Sequence, residues 1–128
     1  MSTCRRPLIA AVVLAFSAVG SAGAHHSGAM FDRDKKTPIE GVVKELQWTN
    51  PHVWIQVNIP DAKGATTEWG VECTSVNFMT RRGWRRDSLK PGDRIALVIA
   101  PLRDGSPGGS LLSVTSVNGK PLVLVPEE

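Results

Sequence analysis

Apolar and more polar positions alternate along several stretches of the chain, which is the pattern of half-buried β-strands. In the clearest stretch, Val53, Ile55 and Val57 alternate with His52, Trp54, Gln56 and Asn58. Residues 95–100 are apolar on both faces, as expected of a central strand. The pattern predicts strands over residues 39–48 (with Gly41 as a possible bulge), 53–57, 67–73, 95–100, 111–117 and 122–125.

Turn and capping residues separate these strands and predict one short helix. Thr74 or Ser75 can cap a helix over residues 76–82, and Gly83 can end it. Asn118-Gly119 predicts a tight hairpin turn. Three strands, a helix and further strands indicate an all-β fold with one short helix, an OB-like β-barrel over residues 39–128. An open β-sandwich is the alternative, and residues 25–38 are predicted to be an N-terminal tail.

The N-terminus has the three parts of a secretion signal. Arg5 and Arg6 precede an apolar run over residues 8–19, and Ala22-Gly23-Ala24 supplies the small residues that signal peptidase requires. We therefore predict a signal peptide over residues 1–24, a mature chain that begins at His25, and a periplasmic or secreted location. No apolar run is long enough to span a bilayer, so the processed protein is not expected to span a membrane.

Removal of the signal peptide changes the charge of the protein. Loss of Arg5 and Arg6 from 15 basic residues leaves 13 against 12 acidic residues, a net charge of +1. A nearly neutral protein is not expected to bind nucleic acid through its phosphates. Cys73 would be the only cysteine left, which excludes an intramolecular disulfide. A buried, inert thiol is the expected state of Cys73, with a copper thiolate as the alternative.

The mature chain would contain three histidines: His25, His26 and His52. A terminal histidine combines a free α-amine with an imidazole, and together they can chelate a metal ion. Nitrogen-rich, tetragonal ligand sets favour Cu(II). We therefore predict a Cu(II) site formed by these three residues. The alternative is that His25 and His26 belong to a tail that only suits the peptidase.

A second candidate site is a basic cluster beside a tryptophan. Arg81, Arg82, Arg85 and Arg86 surround Trp84 and could hold an anionic ligand, and the strand face around Trp54 could also take part in binding. The alternative is that these arginines complement the C-terminus of the helix and that Gly83 caps it. The same choice applies to the tryptophans, which can either stack on a ligand or fill a small core.

Several motifs together resemble one family of small exported bacterial proteins, catalogued as domain of unknown function 6152. They are His25-His26-Ser27, Trp48-Thr49-Asn50-Pro51-His52-Val53-Trp54, Glu68-Trp69, Arg81-Arg82-Gly83-Trp84, Leu89-Lys90-Pro91-Gly92-Asp93 and the segment 101–109. The resemblance covers essentially the whole predicted mature chain. It implies a signal peptide and a compact β domain, and it implies no activity.

These patterns predict a small exported binding protein rather than an enzyme, because no catalytic triad or carboxylate pair can be assigned. Cu(II) is the predicted cofactor. The alternative function is a metal-free module that binds a small ligand or an envelope protein. A copper oxidase or monooxygenase built on the terminal histidine is a third hypothesis.

Overall fold

The computed structural model describes residues 28–122 of the 128-residue chain. A short 3-10 helix, Gly28–Met30, opens this part of the chain. The strands that follow are β1 (Thr37–Gln47), β2 (Trp54–Pro60) and β3 (Thr66–Glu72), then β4 (Arg94–Pro101), β5 (Gly108–Val117) and β6 (Lys120–Pro121). One helix, α1 (Val76–Arg81), lies between β3 and β4.

The strands form a closed barrel with OB-like topology. Antiparallel pairing gives the order β3-β2-β1-β4-β5-β6, and a parallel pairing of β3 with β5 closes the sheet. Because closure pairs both edges of the sheet, β1 to β5 form a five-stranded barrel and β6 only extends the β5 hairpin. The predicted all-β fold with one helix is confirmed.

The barrel interior is filled by the alternating apolar residues that predicted the strands. Val53, Ile55 and Val57 are completely buried, as is Ile99 on β4. Helix α1 and the loop after it close the barrel with three further buried side chains, Met79, Trp84 and Leu89. Trp84 is therefore a core residue, while Trp48 and Trp69 are partly buried against the core.

Helix α1 has the caps that its sequence predicts. The side chain of Ser75 accepts a hydrogen bond from the backbone N–H of Phe78, so Ser75 rather than Thr74 is the N-cap. Gly83 follows the helix with φ +88°, a left-handed conformation that strains residues with a Cβ atom. The two caps set the ends of the helix, whose Met79 side chain packs into the core.

The predicted bulge at Gly41 is wrong. The register between β1 and β2 shifts between Val43 and Glu45, two residues further along the strand. Gly41 instead marks a close approach of two strands: a Cβ atom there would lie 2.5 Å from the backbone oxygen of Asn58. A glycine is needed at this position because two strands pack closely there, and not because an extra residue is inserted into the strand.

The predicted tail is packed against the barrel from Gly28 onward. Phe31 is buried and forms a β-bridge with Leu102, and the N–H of Asp32 donates to Pro101 O at 2.8 Å. Arg103 binds the same segment through its backbone N–H, which donates to Met30 O at 3.0 Å. Strand β1 begins at Thr37, two residues before the predicted start.

The predicted signal peptide, residues 1–24, lies outside the described residues, as do His25 and His26. Within residues 28–122, no helix is long and apolar enough to cross a membrane.

Candidate functional site

An open cleft of about 720 Å³ lies where the N-terminal segment, the β1–β2 loop, α1 and strands β3 and β5 meet. We call it the His52 cleft. Its lining comprises Gly28, Phe31, Arg33, Pro51, His52, Glu72, Cys73, Thr74, Ser75, Phe78, Arg82, Ser110, Leu111 and Leu112.

The β1–β2 loop places His52 at the edge of this cleft. The side-chain oxygen of Asn50 accepts a hydrogen bond from the N–H of Val76, which ties the loop to the start of α1. Val53 then binds the end of β3, with its N–H donating to Thr74 O and its C=O accepting from Cys73 N–H. These bonds hold the backbone on both sides of His52.

His52 forms a close pair with Glu72. The Nδ1 atom of His52 lies 2.5 Å from Oε1 of Glu72. An N–H at Nδ1 can donate to this carboxylate oxygen, and Nε2 is then left for another partner. The His52 side chain is 43% exposed, whereas that of Glu72 is only 7% exposed. The pair therefore joins a buried carboxyl group to an accessible imidazole.

The second oxygen of Glu72 has no partner among the described residues. Oε2 is buried and forms no hydrogen bond there. Buried polar atoms are nearly always hydrogen-bonded to protein or to water, so this oxygen can accept from a water molecule or from a donor on a bound group.

Glu72 is not among the candidate site residues predicted from the sequence. A glutamate in an alternating strand is typical of a solvated face, but the N-terminal segment and β5 flank the cleft that Glu72 lines. Hairpin register was the available signal: β2 and β3 pair so that Trp54 lies opposite Glu72. His52 then becomes a diagonal neighbour of Glu72 on the same face.

The predicted ligand-binding residues are not gathered in the His52 cleft. Arg82 lines it and stacks on Phe78, with the guanidinium carbon 4.4 Å from the ring centroid. Arg81 ends α1, and Arg85 and Arg86 are exposed in the turn that follows. Trp54 is half-buried on β2, where its ring lies beside Gly70 of β3. Of this set, the cleft contains only Arg82.

Cys73 also lines the cleft, but its thiol is buried. Burial, together with the neighbouring charge of Glu72, raises the pKa of the Cys73 thiol from 9.0 to about 12. The thiol is therefore protonated at neutral pH, whereas metal ions bind the thiolate.

The described barrel does not contain a complete metal site. Within residues 28–122, no three His, Cys, Asp or Glu side chains are grouped so that they could hold a metal ion. Of the three predicted copper ligands, only His52 can be placed. Its pairing with a carboxyl group matches the way metal-bound histidines are commonly oriented in proteins.

Comparison with models of protein families shows which family this chain belongs to. The chain belongs to the family of unknown function DUF6152. The family model matches residues 12–111, which confirms the resemblance seen in the motifs. No curated protein matches the chain.

Among solved structures, the chain is similar to the mitochondrial single-stranded DNA-binding protein Rim1 from S. cerevisiae. The identity is 14% and the TM-score is 0.42, over 68% of this chain and 96% of that one.

Proposed function

We propose that this DUF6152 protein is an exported Cu(II)-binding protein whose site combines His25 and His26 with His52. The supporting observation is that the described chain begins in the same cleft that His52 borders, because Gly28 lines that cleft. The proposed role is binding rather than catalysis.

Covalent geometry makes this combination possible. Consecutive Cα atoms are about 3.8 Å apart, so the Cα of His26 lies within roughly 8 Å of the Cα of Gly28. The Gly28 backbone is itself fixed, since its C=O accepts a hydrogen bond from the N–H of Phe31. Covalent connectivity alone therefore limits how far His26 can lie from Gly28.

The donor set suits Cu(II). After cleavage before His25, the α-amine and imidazole of that residue would supply two nitrogens, and His26 and the Nε2 atom of His52 would supply two more. Four nitrogen donors match the tetragonal field that Cu(II) favours. Because the described barrel offers no three grouped ligands of its own, the affinity should depend on the mature N-terminus.

A metal-free binding module is the second candidate function. Two of the large apolar side chains that remain exposed, Phe78 and Leu112, are 38% and 39% exposed and both line the His52 cleft. Arg82 stacks on Phe78 and adds a positive charge. This combination suits a ligand or a protein partner with an apolar group and a negative charge.

The test uses protein exported through its own signal peptide in a Gram-negative host. Intact mass should show a chain that begins at His25. Titration of metal-free protein should show one Cu(II), with a nitrogen-dominated electron paramagnetic resonance spectrum. One extra residue before His25 should weaken binding by about tenfold or more, roughly 1.4 kcal/mol, because the amine moves away from the ring.

His52→Ala should weaken the binding as well if the barrel completes the site. Equal affinity in the native and extended proteins would contradict the terminal chelate and favour the metal-free module. Retention of residues 1–24 in exported protein would contradict the mature terminus itself.

A further inference from the structure

We propose that the His52 cleft binds a small zwitterion of the amino-acid type, whose ammonium group donates to Oε2 of Glu72 and whose apolar group packs on Phe78 and Leu112. The inference rests on the second candidate function, the metal-free binding module, and names a class of ligand for it. Every residue in the argument lies within residues 28–122, and the site requires no metal. The cleft volume of about 720 Å³ is within the range of roughly 300–1,000 Å³ typical of small-molecule sites.

Glu72 supplies the acceptor for the ammonium group. Its side chain is 7% exposed, and its Oε1 atom pairs with Nδ1 of His52. Oε2 is buried and has no hydrogen-bond partner within residues 28–122, although Thr74, Ser75 and Ser110 of the same lining carry hydroxyls. A buried carboxylate is stabilised most by a donor that also carries a positive charge. An ammonium group supplies both the hydrogen bond and the charge, whereas a water molecule or a hydroxyl supplies only the hydrogen bond.

The charged residues of the lining favour a ligand with both signs of charge. Arg33 and Arg82 line the cleft with Glu72, so with His52 neutral the formal charge of the lining is 2 − 1 = +1. A ligand with only an ammonium group would add positive charge beside two guanidiniums, and one with only a carboxylate would add negative charge beside Glu72. A zwitterion offers each of its groups to the opposite charge, and guanidinium groups bind carboxylates well.

The apolar part of the ligand has a surface in the same cleft. Phe78 on α1 and Leu112 on β5 line the cleft and are 38% and 39% exposed. The guanidinium of Arg82 lies over the Phe78 ring, with its central carbon 4.4 Å from the ring centroid. A positive charge and an apolar surface are therefore adjacent, which suits the neighbouring carboxylate and side chain of an apolar amino acid.

Glu68 provides a matched control for Glu72. It lies on β3 four residues before Glu72 and therefore on the same strand face. Its side chain is 47% exposed and pairs with Lys44 at 2.6 Å. Glu68→Gln makes the same chemical change as Glu72→Gln at a position outside the cleft.

The experiment is an NMR titration of the full-length processed protein with three probes that share a phenyl group. Phenylalanine carries both charges, 3-phenylpropionate lacks the ammonium group, and phenethylamine lacks the carboxylate. We expect phenylalanine to bind at least about tenfold more tightly than either analogue, the effect of one charge-assisted hydrogen bond. The amides of Ser75, Ser110 and Leu112 should shift on binding, because these residues line the cleft.

Variants then assign the ammonium contact to Glu72. Glu72→Gln should lower the affinity for phenylalanine to that for 3-phenylpropionate, while the affinity for 3-phenylpropionate does not fall. Glu68→Gln should change neither affinity. Leu112→Ser, at an exposed position, should weaken the binding of all three probes. If Glu72→Gln does not fold, the three probes on the wild type still decide the class of ligand.

Three results would overturn the inference. Equal binding of phenylalanine and either analogue to the wild type would remove the zwitterion. Equal effects of Glu72→Gln and Glu68→Gln would remove the contact with Glu72. Absence of binding by all three probes would remove the site.

The copper proposal is tested separately from this one. Phenylalanine itself chelates Cu(II), so every titration is made on metal-free protein with a chelator present. If no probe binds while Cu(II) does, the inference is wrong and the proposed copper function stands. If the probes bind as expected while Cu(II) does not bind, the copper function fails and the inference stands.

Discussion

At the scale of single residues, Cys73 shows how burial decides chemistry in the His52 cleft. It follows Glu72 in the chain, and its side chain is also buried. Its one hydrogen bond is weak, with Sγ lying 3.9 Å from Val71 O. Removal from water disfavours the charged thiolate and raises the pKa to about 12. The inert state expected from the sequence is therefore favoured over a copper thiolate.

This raised pKa predicts a loss of stability at alkaline pH. In unfolded chains the thiol ionises near pH 9, whereas in the folded protein it stays protonated up to about pH 12. Above pH 9 the folded state thus holds the extra proton, and the free energy of unfolding falls as pH rises. The slope from this group approaches about 1.4 kcal/mol per pH unit.

Urea unfolding of the wild type and Cys73→Ala between pH 8 and pH 11 measures this effect. The substitution removes packing at every pH, so it shifts the curve by a constant amount. The wild type should nevertheless lose stability more steeply than Cys73→Ala above pH 9. Parallel curves for the two proteins would mean that the thiol ionises normally in the folded state.

Residue types alone identified His52 but could not identify Glu72. A histidine attracts attention in a chain that has only three of them. A glutamate in an alternating strand is ordinary, and the cleft that Glu72 lines is formed in part by the N-terminal segment, which lies over forty positions earlier in the chain. The sequence therefore indicates the candidate site through His52 alone, and the structure adds Glu72.

At the scale of elements, α1 is a short helix that depends on its caps. It has only six residues, and Met79 is its single buried side chain. Its end is held by two turn hydrogen bonds, from Gly83 N to Thr80 O and from Trp84 N to Met79 O, both 3.0 Å long. The turn at Gly83 therefore places the Trp84 side chain in the core.

Gly83→Ala should destabilise the protein by about 1–2 kcal/mol, the cost of a Cβ atom in the left-handed region. A Cβ atom at Gly83 would meet no atom within 4 Å, so the loss would measure backbone strain alone. The measurement is urea unfolding, with Arg85→Gln and Arg86→Gln as controls at exposed positions. A large loss in the controls with little in Gly83→Ala would show that the arginines, and not the glycine, hold the helix end.

The sequence predicted the elements well where a short segment contained an alternating apolar pattern or a characteristic turn residue. Alternation located β2 and β3, and Asn118-Gly119 located the final turn, where both residues have positive φ. The bulge in β1 was misplaced because nothing in the residues 43–45 themselves differs from regular strand. The packing of Phe31 against the barrel was missed because a single apolar residue in a charged segment produces no periodic pattern.

At the scale of the whole molecule, the N-terminal segment links the barrel to the proposed metal site. Phe31 is 4% exposed, and hydrogen bonds on either side of it join residues 29–32 to residues 101–103. An ion pair between Asp32 and Lys35, 3.0 Å long, stiffens the next turn. These contacts with the barrel thus hold the segment that follows Gly28, and Gly28 lines the same cleft as His52.

Hydrogen exchange can test whether Phe31 anchors this segment. Phe31→Ala should open the segment locally, since loss of a buried phenylalanine costs about 3–5 kcal/mol. The amides of Asp32 and Arg103, which donate to Pro101 O and Met30 O, should then exchange at least about a hundredfold faster. Val42→Ala, at a 40% exposed position on β1, is the control and should leave both amides protected.

The same variant also relates the anchor to copper. If the histidines of the terminus reach the metal only together with His52, Phe31→Ala should lower Cu(II) affinity to the level of His52→Ala, although both proteins keep every terminal nitrogen. Undocking would let the terminus move away from the cleft, and the entropy of ordering it would oppose binding. Unchanged affinity in Phe31→Ala, with the two amides exchanging freely, would show that the chelate forms on the terminus alone and that the barrel takes no part in it.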